Sequence, residues 1–296
     1  MTVLATGDVL DALHGVRWPA ERPVSGGTPG GHRARTRGSS AEFAEYRSYR
    51  QGEDVRRLDW KVLARTDRAY VRLAEDHAPL PTTVVVDASA SMAFPAGTTA
   101  KWLHAARLAV GLAAVAHATG DPVGLRITSG RVLPPRMRQG VVAGITQALT
   151  DAVPGGSAGM APSFASLQGR VALVSDFLGD TDAVVSLVRA ARTRGTVVYA
   201  VHVVDSRELD PPRGAALVAD PETPALQRPL IPATRGAYLA SFARWRSELA
   251  DDFHRAGAHY VLTVSGSAGE PAARAVRRIV AGWPQPADDR LGAPFA

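Results

Sequence analysis

From residue 81 onward, short apolar segments alternate with longer segments of helical periodicity, and this alternation limits the possible folds more than any other feature of the chain. Two of the apolar segments are TVVVD at 83–87 and RVALVSD at 170–176. Strands that read as continuous apolar runs are typical of a parallel sheet that helices cover on both faces. The alternation therefore predicts a doubly wound, mostly parallel α/β domain over residues 81–284.

The individual elements follow from periodicity and from turn residues. Strands are predicted at 83–87, 123–128, 170–176, 196–204 and 259–264. Helices are predicted at 101–119, 141–152, 182–194, 238–256 and 270–283. The proline-rich stretch between residues 206 and 234 is predicted to be an excursion that contains a small hairpin.

The regions outside 81–284 differ in composition. Residues 1–31 run into WPAERPVSGGTPGG and are predicted to be an extended linker, with one short helix at 8–14. Residues 32–80 mix both signs of charge with five aromatic residues, which is too little apolar material for a separate core. We expect this segment to pack on the α/β domain through its aromatic side chains. Residues 285–296 are interpreted as a tail.

Composition excludes several classes of protein. The chain has 296 residues and no cysteine, which excludes disulfides, thiolate metal sites and cysteine nucleophiles. The formal net charge of +6 suits an anionic partner, but Arg is abundant alongside Ala, Gly and Val, which favours a general compositional bias. No apolar run is long enough to cross a bilayer, and the N-terminus lacks the pattern of a signal peptide. We therefore expect no membrane insertion and a cytoplasmic location.

The first predicted strand of the α/β domain leads into three oxygen-bearing side chains at alternate positions: Asp87, Ser89 and Ser91. Alternate residues of an extended segment point to the same side, and ligands of doubly wound folds bind at the carboxyl ends of the strands. Asp176 ends another predicted strand, and Ser157 lies in the glycine-rich loop before that strand. Because hard cations prefer oxygen ligands, the pattern indicates a site for Mg²⁺ or Mn²⁺.

The D-x-S-x-S pattern resembles the metal-ion-dependent adhesion site of von Willebrand factor A domains, and the resemblance covers 81 to about 284. It implies that Ser89 and Ser91 bind the ion directly and that Asp87 acts mainly through water. A threonine from a second loop and an aspartate from a third complete the set in that family; here Ser157 and Asp176 are the corresponding candidates. The sixth position would be left for an Asp or Glu of a protein partner.

A longer motif precedes this site and resembles the DUF58 family, whose pattern has the form EF-x-x-x-R-x-Y-x-x-G-D-x-x-R-x-x-DW-x-x-x-AR. The matching residues in this chain are Glu42, Phe43, Arg47, Tyr49, Gly52, Arg56, Asp59, Trp60, Ala64 and Arg65. Members of the family commonly occur beside MoxR-type AAA+ ATPases. The resemblance therefore implies such an ATPase as the partner and a chaperone-like or assembly role.

The sequence leaves two functions from different classes open. The first is a non-enzymatic, metal-dependent protein-interaction module, and the alternative is a metal-dependent hydrolase that uses the same site. Hydroxyl-rich coordination leaves the ion attractive to an anionic ligand, and the chain has neither a G-x-S-x-G elbow nor a P-loop, which favours binding. Nucleic-acid binding through the arginines of 32–72 is not expected, because interspersed acidic residues favour internal ion pairs.

Overall fold

The computed structural model describes residues 4–20, 32–33, 43–49, 58–74, 77–156, 159–220, 225 and 227–282. These residues form two compact units. As far as the structure describes them, the sheet unit comprises Met1–Trp18, Pro81–Ala118 and Pro122–Ala296, and the N-terminal unit comprises Pro19–Leu80 with Thr119–Asp121. Packing of 32–80 on the α/β domain stays a prediction, and the predicted tail at 285–296 lies outside the described residues.

The elements are numbered in chain order. The strands are β1 His32–Arg33, β2 Phe43–Ser48, β3 Tyr70–Ala74, β4 His77–Ala78, β5 Thr82–Val86, β6 Val123–Ile127, β7 Val132–Arg136, β8 Arg170–Ser175, β9 Val197–Asp205, β10 Ala216–Ala219, β11 Gln227–Leu230 and β12 His259–Ser265. The helices are α1 Gly7–Ala12, α2 Trp60–Thr66, α3 Ala100–Ala118, α4 Val141–Asp151, α5 Ala161–Phe164, α6 Thr181–Thr193, α7 Ser206–Leu209, α8 Pro232–Arg255 and α9 Ala272–Val280.

The sheet unit is built on a six-stranded sheet with the order β12-β9-β8-β5-β6-β7. Strands β12, β9, β8, β5 and β6 are parallel, and β7 closes one edge as an antiparallel strand. The connection from β5 leads to β6 on one side, whereas the connection from β8 leads to β9 on the other. The direction of winding therefore reverses between β5 and β8, and this reversal is the switch point at which doubly wound folds bind ligands.

Helices cover both faces of the sheet, as the apolar strands predicted. All five residues of β5 are buried: Val84 and Val86 face one core, and Val85 faces the other. The first core is closed by α1, α3, α4 and α9, and the second by α5, α6 and α8. The prediction of a mixed α/β fold with a mostly parallel central sheet is confirmed. In the part of the chain that the structure describes, no helix has the length and apolar character needed to cross a membrane.

The start of the chain contributes more to the core than the predicted linker implied. Val9 of α1 is buried, and Trp18 is fully buried after it. The Trp18 ring lies 4.3 Å from the Arg170 guanidinium and 5.0 Å from the Tyr199 ring. The apolar side chains of residues 4–18 are spaced so that they reach the α3 face of the sheet, a pattern that the following Pro/Gly-rich stretch obscures in the sequence.

The N-terminal unit contains two antiparallel pairs, β1 with β4 and β2 with β3, and the short helix α2. Asp59 begins α2 as its N-cap, where its carboxylate accepts hydrogen bonds from the backbone of Lys61 and Val62. Trp60 is 60% exposed. Trp60 is the first residue of α2, and the docking of this segment through its aromatic side chains stays a prediction.

Candidate functional site

The predicted site residues of β5 and β8 lie at the switch point of the sheet. Asp87 directly follows β5 and Asp176 directly follows β8, and these strands pair in parallel with Val86 opposite Val174. The Asp87 backbone N–H donates to the Val174 carbonyl at 2.9 Å, which extends the pairing to the first residue of the loop. Both carboxylates are thus brought to one edge by the strand register.

The two serines of the D-x-S-x-S loop come together behind Asp87. The Ser89 N–H donates to Asp87 Oδ1 at 2.8 Å, and a short 3-10 turn at Ala90–Ala93 carries Ser91. The Ser89 and Ser91 hydroxyl oxygens are 3.0 Å apart, and both side chains are buried. Two oxygens on adjacent vertices of an octahedral Mg²⁺ shell, each about 2.1 Å from the ion, also lie about 3.0 Å apart. This pair of hydroxyls therefore fits a small hard cation.

Asp87 is a buried carboxylate that the protein holds with hydrogen-bond donors. Burial raises its pKa, and the nearby Asp176 adds to the rise, while the hydrogen bond from Ser175 works against it. Ser175 Oγ donates to Asp87 Oδ2 at 2.6 Å, and Thr128 Oγ1 lies 3.5 Å from Oδ1. Removing this carboxylate from water costs free energy that a cation bound beside it would recover.

Asp176 differs from Asp87 because a buried ammonium group, that of Lys101, lies beside its carboxylate. Lys101 Nζ lies 2.6 Å from Asp176 Oδ2 and 3.1 Å from Glu208 Oε1, and the Lys101 side chain is fully buried. Burial lowers the pKa of Lys101, but the charges of Asp176 and Glu208 outweigh it and the net pKa is raised. The other oxygen of Asp176 accepts from the Leu178 N–H at 3.3 Å.

The chain turns sharply after Asp176. Phe177 has a φ of 53°, which is uncommon for a bulky residue, and its N–H donates to Ser175 Oγ at 2.8 Å. The buried Phe177 ring packs against Phe253 at 4.8 Å between ring centroids. Positive φ outside glycine is a form of strain that gathers at functional sites. Here it lets one residue enter the core while its neighbour stays at the sheet edge.

The glycine-rich loop that carries Ser157 lies against the D-x-S-x-S loop. The Gly155 N–H donates to the Ala88 carbonyl at 2.7 Å, and the Ala90 N–H donates to the Gly156 carbonyl at 2.9 Å. Ser157 itself lies outside the described residues. Its place in the site stays a prediction, although the loop before it reaches the site.

Two further strands also end on oxygen-bearing side chains. Asp205, the last residue of β9, accepts from Ser265 Oγ, the last residue of β12, at 2.7 Å. The Asp205 N–H donates to Glu208 Oε2 at 2.6 Å, and this bond holds the Glu208 side chain in α7. Glu208 therefore links the end of β9 to Lys101. These groups form a continuous polar edge on the sheet unit.

A cleft of about 340 Å³ opens beside Asp87 and Ser89. Its polar wall also contains Ser175 and Asp180, and its apolar wall includes Met160 and Phe177. A cleft of this size lies at the small end of the range for small-molecule sites. The cleft thus reaches Asp87 and Ser89 of the site.

Four residues of the site were not among those predicted from the sequence: Lys101, Thr128, Ser175 and Glu208. Thr128 and Ser175 were detectable, because each lies at the carboxyl end of a predicted strand. A signal for Lys101 was also present: of the 34 basic residues only Lys61 and Lys101 are lysines. Within the described ranges, no group of three or more His, Asp or Glu side chains could hold a metal ion. Any metal would therefore rely on the hydroxyls together with few carboxylates.

Together the fold and the strand-end groups define a doubly wound α/β protein with a polar site at its switch point. The chain belongs to the family described as protein of unknown function DUF58, whose model matches residues 45–248. An uncharacterized protein of Mycobacterium tuberculosis is 28% identical over 271 residues, which is 85% of each chain. The family description assigns no activity.

Similar solved structures cover the larger part of the chain. The conserved hypothetical protein BatB from Bacteroides thetaiotaomicron aligns with 68% of this chain and 97% of its own, at 16% identity and a TM-score of 0.42. An aerotolerance-related membrane protein from Bacteroides fragilis aligns with 68% of this chain and 96% of its own, at 14% identity and a TM-score of 0.41.

Proposed function

We propose that the sheet unit is a von Willebrand factor A-like, non-enzymatic module that binds a protein partner through a divalent cation, Mg²⁺ or Mn²⁺. The ion is held by the hydroxyls of Ser89 and Ser91, with Asp87 acting mainly through water. Asp176 and Ser157 complete the set. The partner supplies an Asp or Glu carboxylate, and the proposed location is the cytoplasm.

The observation that carries this proposal is the pair of buried hydroxyls 3.0 Å apart at the switch point. The two buried hydroxyls form a hydrogen bond with each other. The same distance between their oxygens also suits two ligands of one octahedral ion. The position beside a cleft supports a site that meets a partner from outside. When bound, the ion would supply positive charge for an incoming carboxylate.

The protein's own groups suit binding better than turnover. Asp87, the carboxylate nearest the hydroxyls, already accepts hydrogen bonds from Ser175 and Ser89 and is therefore poorly placed to take a proton from water. His202 is buried, and its Nδ1 lies 2.6 Å from the Tyr260 hydroxyl, which ties this imidazole to the aromatic core. These contacts favour a static role in orienting ligands.

The proposed partner is a MoxR-type AAA+ ATPase, and the proposed role is in chaperone-like action or complex assembly. Membership in the DUF58 family supports this choice of partner, because members of the family commonly occur beside such ATPases. Such an ATPase would complete the coordination of the ion with an exposed Asp or Glu.

A pull-down of the neighbouring ATPase tests the proposal. Capture should fall on adding EDTA, return with Mg²⁺ or Mn²⁺, and be lost when Ser89→Ala is combined with Ser91→Ala. A matched control combines Ser186→Ala with Ser247→Ala, two exposed serines of α6 and α8, and should leave capture unchanged. Capture that survives both EDTA and the Ser89/Ser91 variant would contradict the proposal.

A further inference from the structure

Lys101 is an unusual residue for this chain. The chain uses arginine for all but two of its basic positions, yet a lysine stands near the start of α3 with its side chain fully buried. A lysine is a compact point charge on a flexible stem, whereas an arginine fork holds a carboxylate in a fixed bidentate geometry. A lysine at this position can therefore exchange one carboxylate for another by a small movement.

The contacts of Lys101 provide two such carboxylates. Its Nζ lies 2.6 Å from Asp176 and 3.1 Å from Glu208, so the ammonium bridges the end of β8 and helix α7. Glu208 is fixed independently by the Asp205 N–H at 2.6 Å. It would therefore remain in place as a partner for Lys101 if Asp176 turned to another cation.

Both carboxylate oxygens of Asp176 already accept hydrogen bonds, so a further cation must compete for them. One carboxylate oxygen accepts from Lys101 and the other from the Leu178 N–H. A divalent ion that coordinates Asp176 must compete with the first bond and also meets the repulsion of the ammonium at close range. The charge that the site offers to an ion is thus partly neutralised by the protein itself.

We propose that Lys101 is the resident counter-cation of this site and sets its affinity for divalent cations. An ion that coordinates Asp176 displaces the Lys101 ammonium, which then pairs with Glu208 alone. This inference rests on the cation site of the proposed function and adds a residue that regulates it. Binding of an ion is thereby linked to the contact between α3 and α7.

The central test is a charge-neutral double variant, Lys101→Met with Glu208→Gln. It removes the ammonium and one carboxylate together, so the net charge of the site is unchanged while Asp176 is freed. Calorimetric titration with Mg²⁺ or Mn²⁺ should show affinity at least about tenfold tighter than in the wild-type protein. Glu208→Gln alone, which keeps the ammonium, should bind no tighter, and Lys61→Met at the exposed lysine should leave the affinity unchanged.

A second measurement uses the wild-type protein. Because the chain has two lysines, protein labelled with ¹³C-lysine gives two sets of side-chain NMR signals, which Lys61→Met assigns. Addition of Mg²⁺ should shift the Lys101 signals in a saturable way and leave those of Lys61 in place. A role for Lys101 confined to packing would not produce this shift.

The outcomes separate this inference from the proposed function. If the wild-type protein binds no ion but the double variant does, Lys101 acts as the counter-cation and the native metal dependence fails. A folded double variant that binds no tighter than the wild type overturns the inference, whether or not the wild type binds. Should the double variant not fold, the wild-type titration decides alone, and unmoved Lys101 signals overturn the proposal.

Discussion

We expect His104 to make the stability of the sheet unit sensitive to mild acid. This residue lies in α3 with 9% of its surface exposed, and within the described part of the chain its Nε2 has no hydrogen-bond partner. Burial lowers the pKa of His104 to about 4, and the charge of Arg107 adds to the effect. The folded protein therefore accepts a proton on this ring much less readily than the unfolded chain does.

The direction of the effect follows from proton linkage. A histidine with a lowered pKa in the folded state contributes stability that is fully present above the unfolded value of 6.5 and is lost as the pH falls toward about 4. The full difference of about 2.5 pKa units corresponds to about 3 kcal/mol. We expect a loss of about 2–3 kcal/mol from His104 alone at pH 4.5, which is a large share of the stability of a typical domain.

Urea denaturation followed by circular dichroism at pH 7 and pH 4.5 measures this loss. His104→Leu should lose about 2–3 kcal/mol less than the wild-type protein between the two pH values, because leucine does not titrate. The difference between the two proteins removes contributions from carboxylates such as Asp87, which titrate in both. His14→Leu, at an exposed histidine, is the matched control. Equal losses in the wild-type and His104→Leu proteins would refute the role of this histidine.

Three further predictions concern single residues. Asp87→Asn should raise the free energy of unfolding in the metal-free protein at pH 7, as measured by urea denaturation. Burial raises the pKa of Asp87 above 3.8, so its ionised form at pH 7 lowers the stability of the folded protein, and asparagine removes that charge. Trp18→Ala should cost about 3–5 kcal/mol, and Trp18→Phe clearly less, since Trp18 is fully buried in the core; equal costs would argue against ring packing. Gly169→Ala should cost about 1–3 kcal/mol, because Gly169 has a φ of 83° and an added Cβ would collide with the Pro81 carbonyl, whereas Gly179→Ala meets nothing and serves as the control in thermal unfolding.

Most of the sheet was predictable because its strands carry a local signal. The predicted strand at 170–176 appears as Arg170–Ser175, and the predicted hairpin appears as β10 and β11. The exception is β7, which contains Pro134 and Pro135. Prolines argue against a central strand but are tolerated on an edge, where one side of the backbone needs no partner. Edge position is a property of the whole sheet, so local sequence could not reveal this strand.

The candidate site likewise contains residues that local sequence predicts and residues that only the fold brings together. The oxygens of Asp87, Ser89 and Ser91 could be predicted because they follow one strand directly. The ion pairs of Lys101 could not, since they join residues that are 75 and 107 positions apart in the chain. Only the packed fold determines that the first turn of α3 meets the end of β8 and the helix after β9.

The two carboxylates of the site are not equivalent, and the difference predicts how the protein responds to an ion. Asp176 already has an ammonium beside it, whereas the described contacts of Asp87 are with Ser175, Ser89 and Thr128 and include no cation. Because Asp87 is buried without a counter-charge, its carboxylate is the group that a bound ion stabilises most. A ligand that binds only the folded protein stabilises it in proportion to its affinity and concentration. Mg²⁺ should therefore raise the melting temperature of the wild-type protein but not that of Asp87→Asn, and an equal rise in both would show that the ion binds elsewhere.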